Sequence, residues 1–243
     1  MIFFQLLISL SILFSFGLRA QWFQRYGEKA ESRLGLHYAM NTQNQFHAHT
    51  SLCHLIPVKG TPVLVGLGIS GHLLGASAAE MLPSSRLLRS YDRPDVLYTK
   101  GFRTWNSSIF IAIKMHLYSI LSLECRADIA TVSAGKTLEM DYSTGIQQRA
   151  YPDKQEGKPT PSGFRNPLFR NIGSLGSQIW LVALLTPRIE LGVGYVRMRS
   201  EFTISQLVNF SNDRFMLRSD MLGIRLAWRV FNTKGDTPPK VQD

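Results

Sequence analysis

From residue 34 onward, large apolar side chains recur at every second position, the period of a strand with two unlike faces. In 34–40 one face carries Leu34, Leu36, Tyr38 and Met40, and the other Gly35, His37 and Ala39. A second run, 46–56, sets His47, His49, Ser51 and Cys53 on its small or polar side. In the third, Val63, Val65, Leu67 and Ile69 alternate with Leu64, Gly66, Gly68 and Ser70. The fourth sets Ile109, Ile111, Ile113, Met115 and Leu117 against Phe110, Ala112, Lys114, His116 and Tyr118. The fifth sets Cys125, Ala127 and Ile129 against Glu124, Arg126 and Asp128. The sixth, 179–185, is apolar on both sides, so its facing stays open. The seventh opposes Ile189, Leu191, Val193 and Tyr195 to Glu190, Gly192 and Gly194. The eighth opposes Leu222, Ile224, Leu226, Trp228 and Val230 to Gly223, Arg225, Ala227 and Arg229.

The connections sort by length. Those at 58–61, 119–122 and 186–188 are short, whereas those at 75–107, 141–176 and 200–213 are long; 41–45 is brief although it falls on the long side. Short turns on one side and long loops on the other are the pattern of an outer-membrane barrel. The Gly157-Lys158-Pro159-Thr160-Pro161-Ser162-Gly163 stretch reads as irregular loop, and deletion of 153–163 is expected to be tolerated. The polar faces are rich in small residues, which suits a narrow interior, and the aliphatic faces suit lipid. The pattern predicts an all-β fold: an eight-stranded, antiparallel, transmembrane up-and-down β-barrel with short periplasmic turns and long extracellular loops. Leu191, Val193, Ile224, Leu226 and Trp228 are expected on the lipid side. Trp105, Trp180, Tyr195 and Trp228 are candidates for interfacial girdles.

Composition narrows this further. The chain of 243 residues is only 18% charged, carries a net +10 and has a mean hydropathy of −0.03, so apolar residues are diluted rather than blocked into helical spans. The one long uncharged apolar run, 2–17, followed by Leu18-Arg19-Ala20, reads as a signal peptide over 1–20. The barrel then occupies 21–231, and the polar residues 232–243, with two prolines, read as a disordered periplasmic tail. Cys53 and Cys125 fall on opposite faces of non-adjacent runs, so no disulfide joins them.

The glycine-containing alternating strands, the 185–195 hairpin and the closing 222–231 strand resemble the OmpA/OmpX-type outer-membrane β-barrel, in the form abundant in Bacteroidetes-like bacteria. The resemblance implies the outer membrane of a Gram-negative bacterium, contact with outer-membrane lipids and lipopolysaccharide, and insertion by the barrel-assembly machinery. It departs from the family after Phe231, where a polar tail follows the aromatic residue that usually ends the chain.

Interior positions carry Lys114, Glu124, Arg126, Asp128, Glu190, Arg225 and Arg229. Adjacent strands are expected to bring Lys114 near Arg126 and Asp128, and Glu190 near Arg229 or Arg225. Buried charges must pair, so a salt-bridged plug is the plain reading and an ion gate the sharper one. With its lumen filled by side chains, such a barrel is a structural or surface-interaction protein with an unidentified surface partner, neither an enzyme nor a wide pore. A lipid A deacylase-like hydrolase using His49 and Ser51 is the alternative. The loops at 75–107 and 141–176 are too diffusely basic to track nucleic acid.

No cofactor is expected apart from a transition metal. Pairing Met40 with Phe46 across the 41–45 loop puts His37 opposite His49. Taking Lys59-Gly60 as a two-residue turn puts His47 opposite His72. The four imidazoles then share the interior near the outer mouth, either as ligands for zinc, copper or nickel or as hydrogen-bonded histidines without a metal.

Overall fold

The structure, a computed structural model, describes residues 30–85, 94–143, 154–165, 173–208 and 212–232. The predicted signal peptide and the tail after 232 lie outside them. The described residues form strands β1 (Glu31–Met40), β2 (Gln45–Pro57), β3 (Val63–Ala76), β4 (Ala79–Pro83), β5 (Val96–Thr99), β6 (Phe102–His116) and β7 (Leu121–Gly135). They continue with β8 (Leu138–Ser143), β9 (Lys154–Pro159), β10 (Ser162–Phe164), β11 (Leu175–Leu184), β12 (Ile189–Val208) and β13 (Asn212–Asn232). There is no helix among the described residues.

All pairings are antiparallel, and the thirteen-stranded sheet closes on itself. One cycle of ladders runs β1–β2–β3–β6–β7–β11–β12–β13 and returns to β1. A second cycle leaves β13 through β4, β5, β8 and β9 and comes back at β12. Strand β10 adds to β7 beyond the point where β11 stops pairing with it. Strands β12 and β13 serve both cycles, which accounts for their lengths of 20 and 21 residues.

Each run of the sequence falls on a strand of the first cycle, the fourth overrunning β6 by Leu117 and Tyr118 and the sixth overrunning β11 by Leu185. Of the remaining five strands, β4, β5, β9 and β10 fall where the sequence predicts long loops and β8 runs into one, so those connections are in part sheet. The 153–163 segment holds β9 and part of β10, paired with β8, β12 and β7; its deletion would open the second cycle.

Local chemistry sets the short turns. Asn41 Oδ1 accepts from the backbone N–H of Gln43 and Gln45 at 3.0 and 3.1 Å, closing the β1–β2 turn, where Asn44 takes a φ of 55°. The β2–β3 turn is longer than the two residues expected. Val58 N–H bonds Val63 C=O at 2.8 Å, Thr61 N–H bonds Val58 C=O at 3.1 Å, and Gly60 takes a φ of 75°.

The two cycles expose opposite chemistry, although a small apolar cluster of Cys53, Leu55, Leu64, Phe110 and Ala112 lies inside the first. Around the first, Leu34, Leu36, Leu52, Leu67, Ile69, Ile111, Leu191, Val193, Ile224, Leu226 and Trp228 point outward, each at least 40% exposed, while most of the alternate positions are buried and a few, such as Arg229, half-buried. Around the second, the apolar side chains point inward. Met81, Leu97, Met140, Val196, Met198, Phe202, Phe215 and Leu217 form one core, and Phe102 meets Phe202 edge to face at 5.5 Å. Trp180 belongs to this core and is fully buried, so it is not a girdle residue; Trp105, Tyr195 and Trp228 do face outward. Its ring occupies space left by glycine. A Cβ on Gly194 would lie 2.5 Å from the indole, and one on Gly223 would lie 3.1 Å from it.

Candidate functional site

Two clusters fill the interior below the apolar core. The lower is ionic. Glu124 on β7 accepts from Arg33 at 2.7 Å and Arg126 at 2.6 Å, and Arg225 approaches it at 2.9 Å. Glu190 on β12 accepts from Lys114 at 2.6 Å, Arg229 at 2.9 Å and Arg33 at 3.0 Å. Glu31 on β1 holds Lys114 at 3.2 Å and Arg229 at 3.5 Å. Five cations therefore share three carboxylates contributed by β1, β6, β7, β12 and β13. Arranged this way, the ion pairs tie distant walls of the ring together, because strand alternation aims every one of these side chains inward.

The expected pairing of Glu190 with Arg229 is present. Lys114 instead reaches across to Glu31 and Glu190, and its ion-pair partners do not include Asp128. Asp128 stands apart from the network. It accepts from Ser108 Oγ at 3.0 Å and from the backbone N–H of Gly176. The extra residue of a bulge between Ile109 and Phe110 on the β6–β7 ladder brings Asp128 opposite Phe110. Glu31 and Arg33 were not anticipated. They share the parity of Gly35 and His37, but Ser32 between them gives no aliphatic signal that the strand has begun.

The upper cluster is imidazole. His37 pairs with His49 in the β1–β2 ladder as expected. The longer β2–β3 turn shifts the next register by two, so His49 rather than His47 faces His72, and His47 lies opposite Leu74. A shift of two preserves the face. All four rings therefore meet in the interior. His49 stacks on His37 at 4.2 Å and on His72 at 4.4 Å, and His47 Nε2 lies 2.9 Å from His72 Nδ1. His37 Nε2 is taken by Arg126 Nη1 at 3.3 Å and Ser51 Oγ at 3.2 Å. Of these four, His47, His49 and His72 bring ligand nitrogens together, within 4.8 Å of one another.

His49 and Ser51, the residues of the hydrolase alternative, both face the interior and are buried. Ser51 bonds His37 and Arg126, while His49 Nδ1 meets Gln178 Nε2 at 3.4 Å. The structure thus does not join them as a nucleophile–base pair. Cys53 faces inward and Cys125 is half-buried on another strand, each a free thiol. No protein-family model and no curated protein matches the chain.

Proposed function

We propose that this chain is an eight-stranded outer-membrane β-barrel that serves as a closed structural or surface-interaction protein of a Gram-negative envelope. The observation that carries the reading is the reversal of burial along β12 and β13. Leu191, Val193 and Tyr195 point outward with Glu190, Gly192 and Gly194 within, and further along the same strand Arg197 points outward with Val196 and Met198 within. A strand surrounded by water throughout has no reason to expose the first set. In lipid the first cycle needs apolar residues outside and a sheet that closes without an edge, and it has both. The outward apolar stretch of β13 runs over residues 222–230, close to the ~9–11 residues a tilted strand uses to cross a bilayer.

The eight strands of the wall are those of the first cycle, and the second cycle caps it on the outer side. Ionic side chains below and the apolar core above fill the interior, which argues against a wide channel. The test is expression with a functional export signal, membrane fractionation and gel migration before and after boiling. Recovery from the membrane with heat-modifiable migration is the expected result, together with no porin-sized conductance steps in planar bilayers. A chain recovered folded in the aqueous fraction, or stable large conductance, would overturn the reading.

A further inference from the structure

We propose that His47, His49 and His72 form a binding site for one divalent transition ion of the zinc and copper type, enclosed between the ionic cluster and the apolar core. Hydrogen bonding already assigns the proton on one ligand. Ser108 has a single hydroxyl proton, and it goes to Asp128 Oδ1. The contact between Ser108 Oγ and His72 Nε2 at 2.8 Å must then be donated by the ring, so His72 Nδ1 is bare and directed at His47 Nε2. Ser70 supports the same ring nitrogen at 2.7 Å. A carboxylate acting through a hydroxyl to fix the far nitrogen of an imidazole is the outer-shell arrangement that orients a metal-binding histidine.

The other two rings have unused nitrogens. His47 Nδ1 and His49 Nε2 are buried with no hydrogen-bond partner; His49 Nε2 can ligate directly, and on His47 moving the proton from Nε2 to Nδ1 frees the Nε2 that meets His72 Nδ1. Leaving such groups unsatisfied in the interior is costly, and ligation uses imidazole capacity that the protein does not. The separation is suitable as well. With metal–nitrogen bonds of about 2.0–2.1 Å, neighbouring ligands at angles of about 90–109° stand about 2.9–3.4 Å apart. His47 Nε2 and His72 Nδ1 are 2.9 Å apart, and His49 brings a third ligand nitrogen into the group, all within 4.8 Å of one another.

The donor set decides the ion. Three imidazoles without a direct carboxylate select zinc, copper or nickel over magnesium or calcium. Charge is tolerable here because Arg126 is held by Glu124 and Asp128 lies one hydroxyl away. His37 stays outside the ligand set because its Nε2 is occupied by Arg126 and Ser51 and it does not join the three imidazoles whose ligand nitrogens lie within 4.8 Å of one another.

The experiment uses the full chain, stripped of metal and refolded in detergent with Zn2+ or Cu2+ present, because the rings are walled off once the sheet closes. We expect one ion per chain to survive desalting. In the copper form, electron paramagnetic resonance should show coupling to three nitrogens. His49→Gln and His72→Gln should each weaken retention at least tenfold, while His37→Gln and the exposed His54→Gln keep it and Mg2+ does not compete. No retained ion, fewer than three coupled nitrogens, or equal retention in His72→Gln would overturn the site, and loss in His37→Gln would overturn the three-ligand assignment. If the triad variants fail to fold, the nitrogen count of the unaltered chain decides alone.

Discussion

Val193 and Arg197 stand on the same outer face of β12, four residues apart, yet the first lies over an ionic interior and the second over an apolar one. On β13 the same change falls between Leu222, which points outward, and Met221, which points into the upper core. Backbone geometry is unchanged across this line: the β12–β13 ladder is continuous from Ile189 to Thr203. What changes is which face is apolar. Strand periodicity only assigns residues to two faces; the medium outside decides which face must be apolar. The lower region answers to the proposed lipid and the upper region to water.

The comparison breaks most visibly at the two interiors, where substitutions of unlike chemistry should cost similar amounts. Glu124→Gln leaves Arg33, Arg126 and Arg225 with a carboxylate removed from their midst, and breaking buried ion pairs this way costs about 3–5 kcal/mol. Phe202→Ala removes a buried ring from the upper core and its edge contact with Phe102, again for about 3–5 kcal/mol. Urea unfolding of the detergent-refolded chain, followed by tryptophan fluorescence, reads both. Limited proteolysis distinguishes them, since Phe202→Ala should loosen the β4, β5, β8 and β9 cap first while the wall persists. Equal loosening of both regions would mean that they unfold as one unit.

Leu191→Arg is the next test and bears on the medium itself. Residue 191 sits on the outer face of the wall, and an arginine on a barrel's lipid face costs about 2–4 kcal/mol near mid-bilayer. In water the same exposed substitution falls within about ±0.5 kcal/mol. Refolding equilibria in lipid vesicles measure the difference, and a near-neutral result would remove the proposed lipid from the explanation.

The wall was legible because alternation alone carries it. Leu222 to Val230 announces both the strand and its outward face, and five of five residues named for that side, Leu191, Val193, Ile224, Leu226 and Trp228, are exposed. Facing failed where alternation was absent. Trp180 lies in a stretch that is apolar on both sides, and only the pairing of β11 with β12 shows the glycine-lined space that receives it. The cap was not legible at all. Its strands are four to six residues long, and β9 reads KQEGKP, a sequence with no strand propensity of its own. Such segments become strands because β12 and β13 extend beyond the wall and present unpaired edges. The histidine cluster was legible through parity, which survived an error of two in register. The ionic hub was read only in part, since Glu31 and Arg33 precede the first aliphatic residue of β1.

The smallest expected effect is also the sharpest control on the boundary between the regions. Arg197 donates to Asp220 across the β12–β13 ladder at 2.7 Å, and both side chains are at least half exposed. An exposed pair of this kind contributes about 0.2–1 kcal/mol. Arg197→Leu should therefore cost no more than that, although it replaces a charge by an aliphatic side chain on the same face as Leu191. If the boundary stood higher, with Arg197 inside the lipid, the substitution would instead stabilise the barrel markedly in vesicles. Measured beside Leu191→Arg under identical conditions, the two exchanges locate the edge of the proposed membrane belt between residues 191 and 197 of one strand.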